Sequence, residues 1–461
     1  MLKRPIRWSV RAGIAAVAMV ALAGSALATA TWGSAPGAAS GRVGANYTWN
    51  DGPPMAAKLG NNLIAVYDTD YIVCGGVLQS TFDGSGCYLG AYAMTSGDSG
   101  ATWAKPKRLN PGTKHAERAT IAAGSDMACA AYMTQTKYYL PHFVNNFDPS
   151  AVRTTYVRCT ADGKTWLTAI KLPGQTTTGR GDYPYMAAAG TNFYLTMTNS
   201  ATGAISLWKS ANDGVTWTGP ASLGTTTLTD TAPDGYVGGF TALPAVAASG
   251  TTVVVAWQTT AGAAHYKVST NSGGTFGGET TLDAGATNAN YGFVNLRGSS
   301  DGRIAAGWTT ATAAKVALLS GATFGTIRTV ASFPDVQAGV NSGTHQAGFD
   351  VVPLLGSGTV LGATWTECNT VIASGTDYCA DNYPETGQFK STIQMSQVYR
   401  QSPDNGASWG TASVVNPPVG HFLENDWSDG FFVGSSPYVF FNTHDSKYGY
   451  YNTQLKVCTG C

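Results

Sequence analysis

The chain has 461 residues, of which 43% are hydrophobic and only 12% are charged. This composition excludes a disordered chain, and its 57 glycines, 12 tryptophans and 22 tyrosines are typical of a large, turn-rich all-β protein. Lys and Arg together number 27, as do Asp and Glu, so the formal net charge is zero. No net field attracts the chain to DNA or to an anionic membrane, and nucleic acid is not an expected partner.

The first 30 residues have the pattern of a secretory signal peptide. An apolar run at 13–24 is followed by a small-residue cleavage site at Ala28 or Ala30, and it is preceded by four basic residues, Lys3, Arg4, Arg7 and Arg11. The run is too short to span a bilayer, so we expect an exported, soluble protein without a membrane span. Residues 31–41 are expected to form a flexible lead-in, and residues 42–461 a single domain.

Short segments with alternating β-branched and aromatic residues recur along this domain and predict pairs of β-strands. The first strand of each pair is predicted at 54–59, 118–123, 183–189, 243–248, 293–298, 349–354 and 431–434. The second is predicted at 64–70, 127–134, 192–198, 252–259, 303–310, 359–366 and 438–444. These pairs predict an all-β fold, a β-propeller of four-stranded blades, with seven blades favoured and six as the alternative. The segment 44–50 is expected to complete the last blade and close the ring.

Six segments end in a small polar run, a glycine, a Thr or Ser and an aromatic residue. Their aromatic residues are Trp103, Trp166, Trp217, Phe276, Phe324 and Trp409. Most successive copies are about 50 to 60 residues apart, which is the length of one blade with its connections. The pattern predicts a hairpin turn in which Asp or Asn at the third position accepts backbone N–H bonds, the fifth-position glycine has positive φ, and the aromatic residue packs between blades.

This pattern resembles the Asp box, or bacterial neuraminidase repeat, of the sialidase superfamily. Asp98 and Asp404 match the aspartate of that family, Asn212 and Asn271 are substitutions of it, and the second and fifth copies lack it. The resemblance implies a propeller but implies little about function, because Asp boxes are structural elements. The mature region has no Phe/Tyr-Arg-Ile-Pro motif, so the first arginine of the family's carboxylate-binding triad has no counterpart, and a typical exo-sialidase is not expected.

Three connections between second and third strands are long, at 71–87, 135–152 and 367–391. In a propeller they lie on the face opposite the repeated turns, where long loops on a rigid scaffold often build binding sites. Decorative loops are the alternative.

Eight cysteines in an exported protein are expected to be oxidised. Their spacing favours four local bridges, which are Cys74–Cys87, Cys129–Cys159, Cys368–Cys379 and Cys458–Cys461. The last pair has two alternatives, a redox dithiol or half of a zinc site.

The segments leading into the inner strands carry most of the candidate chemistry. The candidate catalytic residues are His115, Glu117, Asp182, Tyr183 and Asp426. The candidate substrate-binding residues are Arg118, Arg180, Tyr139, His142, Glu424 and Trp427. For each of them, a hydrogen bond between neighbouring blades, or packing of the loop in the case of the aromatic residues, is the alternative.

Three functions fit these residues, and all three take a polysaccharide or glycan as the partner. A sialidase-like glycoside hydrolase is favoured, with Glu117, Asp182, Glu424 and Asp426 as available carboxylates and Arg118 and Arg180 to hold an acidic sugar. A polysaccharide lyase acting by β-elimination on a uronate-containing polysaccharide is the first alternative, with His115, His142, Tyr183 and Arg158 or Arg180. A non-catalytic glycan- or surface-binding propeller is the second. We expect a monomer without a cofactor or metal, with a structural calcium ion left open.

Overall fold

The computed structural model describes residues 30–36, 38, 43, 55–69, 90–110, 115–135, 153–175, 181–199, 202–226, 244–259, 263–285, 294–310, 312–332, 348–368, 395–420, 422–445 and 450–461. At 69, 115, 117, 135, 181–183, 348–349, 368, 422–427, 444–445 and 450–451 the backbone alone is described. The proposed signal peptide, the segment 44–50 and most of the three long connections lie outside these residues.

The described residues form 29 β-strands in seven sheets and no helix. The chain begins with β1 (Thr31–Gly33), and blade one follows as β2 (Met55–Leu59), β3 (Asn62–Thr69), β4 (Gly90–Ser96) and β5 (Lys107–Arg108). Blade two is β6 (His115–Ala123), β7 (Ala128–Gln135), β8 (Arg153–Thr160) and β9 (Ile170–Lys171). Blade three is β10 (Gly181–Ala189), β11 (Asn192–Asn199), β12 (Ala204–Ser210) and β13 (Thr218–Thr225). Blade four is β14 (Ala245–Ser249), β15 (Thr252–Gln258), β16 (Ala264–Ser269) and β17 (Thr280–Asp283).

Blade five is β18 (Asn295–Gly298), β19 (Ile304–Thr310), β20 (Ala313–Ser320), and an outer strand in two pieces, β21 (Thr323–Phe324) and β22 (Arg328–Ser332). Blade six is β23 (Gly348–Leu355), β24 (Leu361–Cys368), β25 (Met395–Ser402) and β26 (Ser413–Asn416). Blade seven is β27 (Phe422–Val433), β28 (Ser436–Asp445) and β29 (Tyr450–Thr459), with β1 as its outer strand.

Each inner strand contacts the inner strand of the next blade, in the order β2, β6, β10, β14, β18, β23 and β27, and β27 contacts β2 again. The sheets therefore close into a seven-bladed β-propeller, and the preferred blade count is confirmed. The innermost strands surround the central channel, as in other propellers.

The ring closes through a different segment from the one the sequence indicates. β1 pairs antiparallel with β29, with Thr31 opposite Thr459 and Gly33 opposite Val457. These residues lie within the stretch expected to be a flexible lead-in, and they are instead the outer strand of blade seven. The sequence did not indicate a strand at 31–33 because three residues are too few to show an alternating pattern.

A buried apolar cluster fills each of the seven seams between neighbouring blades. Blade four shows how one strand serves two seams. Val253, Val255 and Trp257 of β15 face blade three, whereas Val254 and Ala256 face blade five. Successive side chains of a strand point to opposite faces, so a sheet covered on both faces needs a continuous apolar run, which β15 supplies.

The repeated segments form the turns that follow the third strands. In blade one, Asp98 Oδ1 accepts a hydrogen bond from the Thr102 N–H at 2.9 Å, and the Gly100 N–H donates to Ser96 Oγ at 2.7 Å. Asn212 and Asn271 use the same oxygen in the same way, since Thr216 and Thr275 donate to it at 2.9 Å each. Asparagine therefore preserves the acceptor that this turn requires.

The second copy contains an aspartate in this role, although its third position is Ala161. Its turn is one residue shorter and begins at Thr160, so Asp162 Oδ1 accepts the Thr165 N–H at 2.7 Å. These bonds hold the pKa of Asp162 near 2, and comparable bonds lower the pKa of Asp98 and Asp404 to about 2. In the fifth copy, β20 and β21 are joined directly, with Ser320 opposite Thr323.

Two of the four expected disulfides lie in the described residues and are present. Cys129 on β7 is bonded to Cys159 directly opposite on β8, and Cys458 is bonded to Cys461. The first bridge packs beneath the turn of blade three, where a Cβ added to Gly214 would lie 2.4 Å from either sulfur. Gly214 also has a φ of 79°, so both space and backbone conformation require glycine there. Cys74–Cys87 and Cys368–Cys379 lie outside the described residues and stay predictions.

Candidate functional site

Four inner strands contain the same irregularity, a β-bulge. On β6, three steps from Glu117 to Thr120 lie opposite two steps on β7. The same extra residue occurs between Asp182 and Tyr185, between Phe349 and Val352, and between Asp426 and Asp429. A bulge bends its strand and redirects the adjacent side chains, and bulges are frequent beside active sites.

The three carboxylates predicted to handle protons occupy equivalent positions at these bulges. Glu117, Asp182 and Asp426 are each the last regularly paired residue before the extra one, opposite Met133, Thr198 and Asn442 respectively. Their side chains, and those of His115, Tyr183, Glu424 and Trp427 on the same strands, lie outside the described residues, as do Arg180, Tyr139 and His142 entirely. Their roles stay predictions.

Two of the extra residues adopt a left-handed backbone conformation. Arg118 has a φ of 61° and Asp350 a φ of 56°. Residues other than glycine rarely adopt this region, and such strain tends to persist where function or the surrounding structure enforces it. The Arg118 N–H points to buried Asp68 of blade one, with 3.4 Å between N and Oδ2. The backbone of this candidate binding residue is thus tied to the preceding blade.

Three side chains from three non-adjacent blades meet inside the channel. Two of them, Tyr185 and Asp429, are the residues at which regular pairing resumes after a bulge. Arg297 of β18 donates a hydrogen bond from Nη1 to the Tyr185 hydroxyl of β10, and its Nη2 forms an ion pair with Asp429 of β27. The guanidinium carbon lies 5.8 Å from the centroid of the Tyr185 ring. We call Tyr185, Arg297 and Asp429 the channel triad.

Tyr185 lies near the propeller axis. Its ring packs against the apolar clusters of three different seams, those of blades one and two, three and four, and four and five. Burial raises the pKa of Tyr185 above its ordinary value, and Arg297 opposes this effect only in part. The phenol is therefore protonated at neutral pH and can donate a proton or a hydrogen bond.

Arg297 remains charged and retains donors that the triad does not use. Burial by itself lowers its pKa, but Asp429 and Tyr185 raise it above the ordinary value. Nη1 donates to Tyr185 and to the Leu296 carbonyl, at 2.9 Å for the carbonyl, and Nη2 donates to Asp429. A guanidinium has five N–H groups, so Nε and one N–H of Nη2 have no acceptor among the described residues. The side chain as a whole is 18% exposed.

Asp429 also links blades. Its Oδ2 accepts a hydrogen bond from the Ala56 N–H of blade one at 2.8 Å. Its Oδ1 accepts one from the N–H of the next residue, Gly430, at 2.7 Å. Only 4% of its side chain is exposed. Asp429 therefore makes hydrogen bonds between blades and is at the same time a member of the channel triad.

The sequence analysis missed Arg297. The signal was present, because Arg297 is the only charged residue in the predicted inner strand 293–298. By contrast, Arg158, which the lyase interpretation used, is committed elsewhere. Its guanidinium donates to the carbonyls of Leu109, Trp166 and Leu167 at 2.9, 3.0 and 2.7 Å, and it thereby joins blades one and two.

Among the residues that the structure describes, no group of three or more His, Cys, Asp or Glu side chains could hold a metal ion. Nothing in the described ranges forms an apolar helix of membrane-spanning length.

No protein-family model matches the chain, and no curated protein matches its sequence. Solved structures similar to it include the Trypanosoma rangeli sialidase, at 12% identity and a TM-score of 0.44, over 89% of this chain and 55% of that one. The same sialidase with 2,3-difluorosialic acid gives 12% identity and a TM-score of 0.45, over 90% and 54%. The NanB sialidase from Streptococcus pneumoniae gives 11% identity and a TM-score of 0.44, over 70% and 66%. The chain thus spans about half the length of the first of these sialidases, and the propeller fold rests on the seven sheets described above.

Proposed function

We propose that this chain is a secreted, carbohydrate-active β-propeller, a glycoside hydrolase of sialidase-like type that acts on a polysaccharide or glycan. The observation that carries the proposal is the channel triad, in which two guanidinium N–H groups of Arg297 have no acceptor among the described residues. A channel without convergent ionisable groups would favour a binding protein alone, whereas a protonated phenol, a guanidinium and a carboxylate that meet in the channel favour catalysis.

In this proposal the sugar lies across the mouth of the channel. Arg297 donates to a carboxylate or hydroxyl group of the sugar, assisted by Arg118 or Arg180, and Tyr185 faces the bound ring. Glu117, Asp182 and Asp426 handle the protons, since each precedes a bulge at the same level of its blade. Tyr139 and His142 line the rim, together with Glu424 and Trp427.

The assignment of the repeated turns as Asp boxes belongs to the same proposal. It is supported by the aspartate and asparagine oxygens that accept turn N–H groups in five copies. Export by a cleaved signal peptide, residues 1–30, is supported by two disulfides in the described residues, because such bonds persist in oxidising compartments.

The lyase alternative has one observation in its favour. Elimination beside a uronate carboxylate needs a cation for the carboxylate and a protonated acid for the leaving oxygen, and Arg297 beside a neutral Tyr185 has this arrangement. The base would have to come from His115 or His142, whose side chains lie outside the described residues.

The deciding experiment incubates the purified protein with a panel of neutral and acidic polysaccharides. New reducing ends and the ultraviolet absorbance of an unsaturated uronate are followed together. Reducing ends alone support the hydrolase, and both signals together support the lyase. The R297M variant should lose the signal and D404N, on a remote turn, should retain it. Binding without either signal would leave only the binding protein and would refute the proposed catalysis.

A further inference from the structure

Asp350 combines three properties that an ordinary strand residue lacks. It is the extra residue in the bulge of β23, its φ is 56°, and its side chain is buried, with 2% of the residue exposed. The left-handed backbone conformation and the burial of a carboxyl group each cost free energy, so the surrounding contacts must stabilise Asp350 in this place.

Each carboxylate oxygen of Asp350 has a specific donor from a different neighbouring blade. Oδ1 accepts a hydrogen bond from Asn295 Nδ2 of blade five at 2.9 Å, and Oδ2 accepts the Ser428 N–H of blade seven at 2.6 Å. Asn295 Nδ2 also donates to the Val351 carbonyl at 3.1 Å, which fixes the orientation of the amide. Because both oxygens are occupied and buried, Asp350 is not placed to contact a substrate.

The two donors adjoin the channel triad. Asn295 lies two residues before Arg297 on β18, so their side chains extend from the same face of the strand. Ser428 immediately precedes Asp429 on β27. Asp350 therefore joins the strand that carries the cation to the strand that carries its anion.

We propose that Asp350 is a positioning residue: by binding Asn295 and the Ser428 amide together, it sets the separation of β18 and β27 at which Arg297 contacts both Asp429 and Tyr185. The structural part of this inference stands on the contacts above, and its catalytic consequence rests on the proposed function. A misplacement of about 1 Å in a reacting group can cost on the order of 100-fold in rate, so a residue that never touches the sugar can control turnover.

The test uses D350N with D404N as a matched control. Asparagine has the same size as aspartate and tolerates positive φ, so the bulge can persist. Its amide nitrogen would face the amide of Asn295, donor against donor, unless the oxygen is withdrawn from Ser428, so at least one of the two contacts is lost. D404N removes a carboxylate from the exposed turn of the same blade, where Asp404 Oδ1 accepts the Ser408 N–H at 2.7 Å.

The first readout is the crystal structure of D350N, which needs no substrate. We expect the guanidinium of Arg297 to leave Asp429 or Tyr185, and an unchanged triad would overturn the inference. If wild type acts on nothing in the polysaccharide panel, the proposed function fails, and this structure alone still decides the positioning role.

The second readout is kcat/KM on the best substrate. D350N should lower it by about 10- to 100-fold, while D404N leaves it unchanged. In an R297K background, D350N should cost far less than in wild type, because the positioned group is already altered; the same factor in both backgrounds would overturn the inference. Should D350N fail to fold, N295A takes its place in both readouts, because it removes the donor to Oδ1, together with the bond to the Val351 carbonyl, and keeps the Asp350 carboxylate.

Discussion

Arg297 of blade five and Asp429 of blade seven form an ion pair that passes over blade six. The same carboxylate accepts the Ala56 N–H of blade one, so a single aspartate connects three blades around the channel. The propeller is thus braced across its interior as well as along its seams, and the brace includes Arg297, the residue that we propose to bind the sugar through its other N–H groups.

Replacing Arg297 should destabilise the protein and abolish its activity. R297M leaves the carboxylate of Asp429 buried without its cation, which typically costs about 3 to 5 kcal/mol. Chemical denaturation should show this loss, and R297M/D429N should recover part of it because the unpaired charge is gone. D301N, which breaks the more exposed Arg303–Asp301 pair, should change stability by less than about 1 kcal/mol. Equal losses for R297M and D301N would contradict the buried brace.

Asp350 should make stability depend on pH between about 4 and 6. Burial raises the pKa of Asp350 from 3.8 to about 6, against the opposing bonds from Ser428 and Asn295. Within this window the folded state binds a proton that the unfolded state has released. The free energy of unfolding therefore falls by about 3 kcal/mol in total as the pH rises through the window, and it is constant above it. Thermal melts of wild type and D350N across pH 3 to 8 should show this fall in wild type only.

The turn aspartates act in the opposite direction and in a separate pH window. Asp98, Asp162 and Asp404 have pKa values lowered to about 2 by their turn hydrogen bonds, so their contribution is present above 3.8 and is lost as pH falls toward 2. A D98N/D162N/D404N variant should lose less stability than wild type when the pH is lowered from 4 to 2. An equal loss of stability between pH 4 and pH 2 in both proteins would show that the turn hydrogen bonds stabilise the charged and the protonated aspartate equally.

In the turn of blade three, Trp217 should matter more than Asn212. Trp217 is 7% exposed and fills the seam between blades two and three, so W217A should cost about 3 to 5 kcal/mol. N212A removes an exposed acceptor for the Thr216 N–H and should cost about 1 kcal/mol. Denaturant titration measures both, and activity of the folded fraction should be unaffected because the channel triad is remote. Loss of activity in W217A at full stability would place this turn at the functional site.

The two described disulfides should differ in their resistance to reduction. Cys129 and Cys159 are 0% and 4% exposed and are covered by Gly214, whereas Cys461 is partly exposed. Graded reduction followed by alkylation and peptide mapping should therefore release Cys458 and Cys461 first. Removing the other bridge as C129A/C159A should cost roughly 3 to 4 kcal/mol, since it closes a loop of 30 residues. Release of Cys129 before Cys461 would contradict this order.

The strands of the propeller were predictable because packing is periodic. β15, which is buried on both faces, differs from its predicted range by one residue at its C-terminal end. β27 was predicted only at 431–434, yet it extends over Phe422–Val433. Its first nine residues, FLENDWSDG, are mostly polar and contain a bulge, so they show neither an apolar run nor a regular alternation.

The channel triad was only partly predictable, for a different physical reason. Tyr185 lies in the predicted inner strand 183–189 and Asp429 in the segment leading into the inner strand 431–434, but nothing local shows that they meet. Their contact passes through Arg297, which is 112 residues from one and 132 from the other. Such a meeting depends on the number of blades and on side-chain reach, and neither is encoded in a local pattern.

The pairing of β1 with β29 places the earliest-made and latest-made strands of the domain side by side, 428 residues apart at the Thr459–Thr31 contact. Trp32 of β1 also attaches this strand to blade six, by donating from Nε1 to Ser413 Oγ at 2.9 Å and by packing edge-on against the ring of Tyr399. During synthesis, the first six blades can fold in sequence, but blade seven must wait for its own final strand, β29, which is also the pairing partner of β1. Any interruption of translation before β29 therefore leaves β1 without its pairing partner and the ring open, and such unpaired strand edges are templates for aggregation.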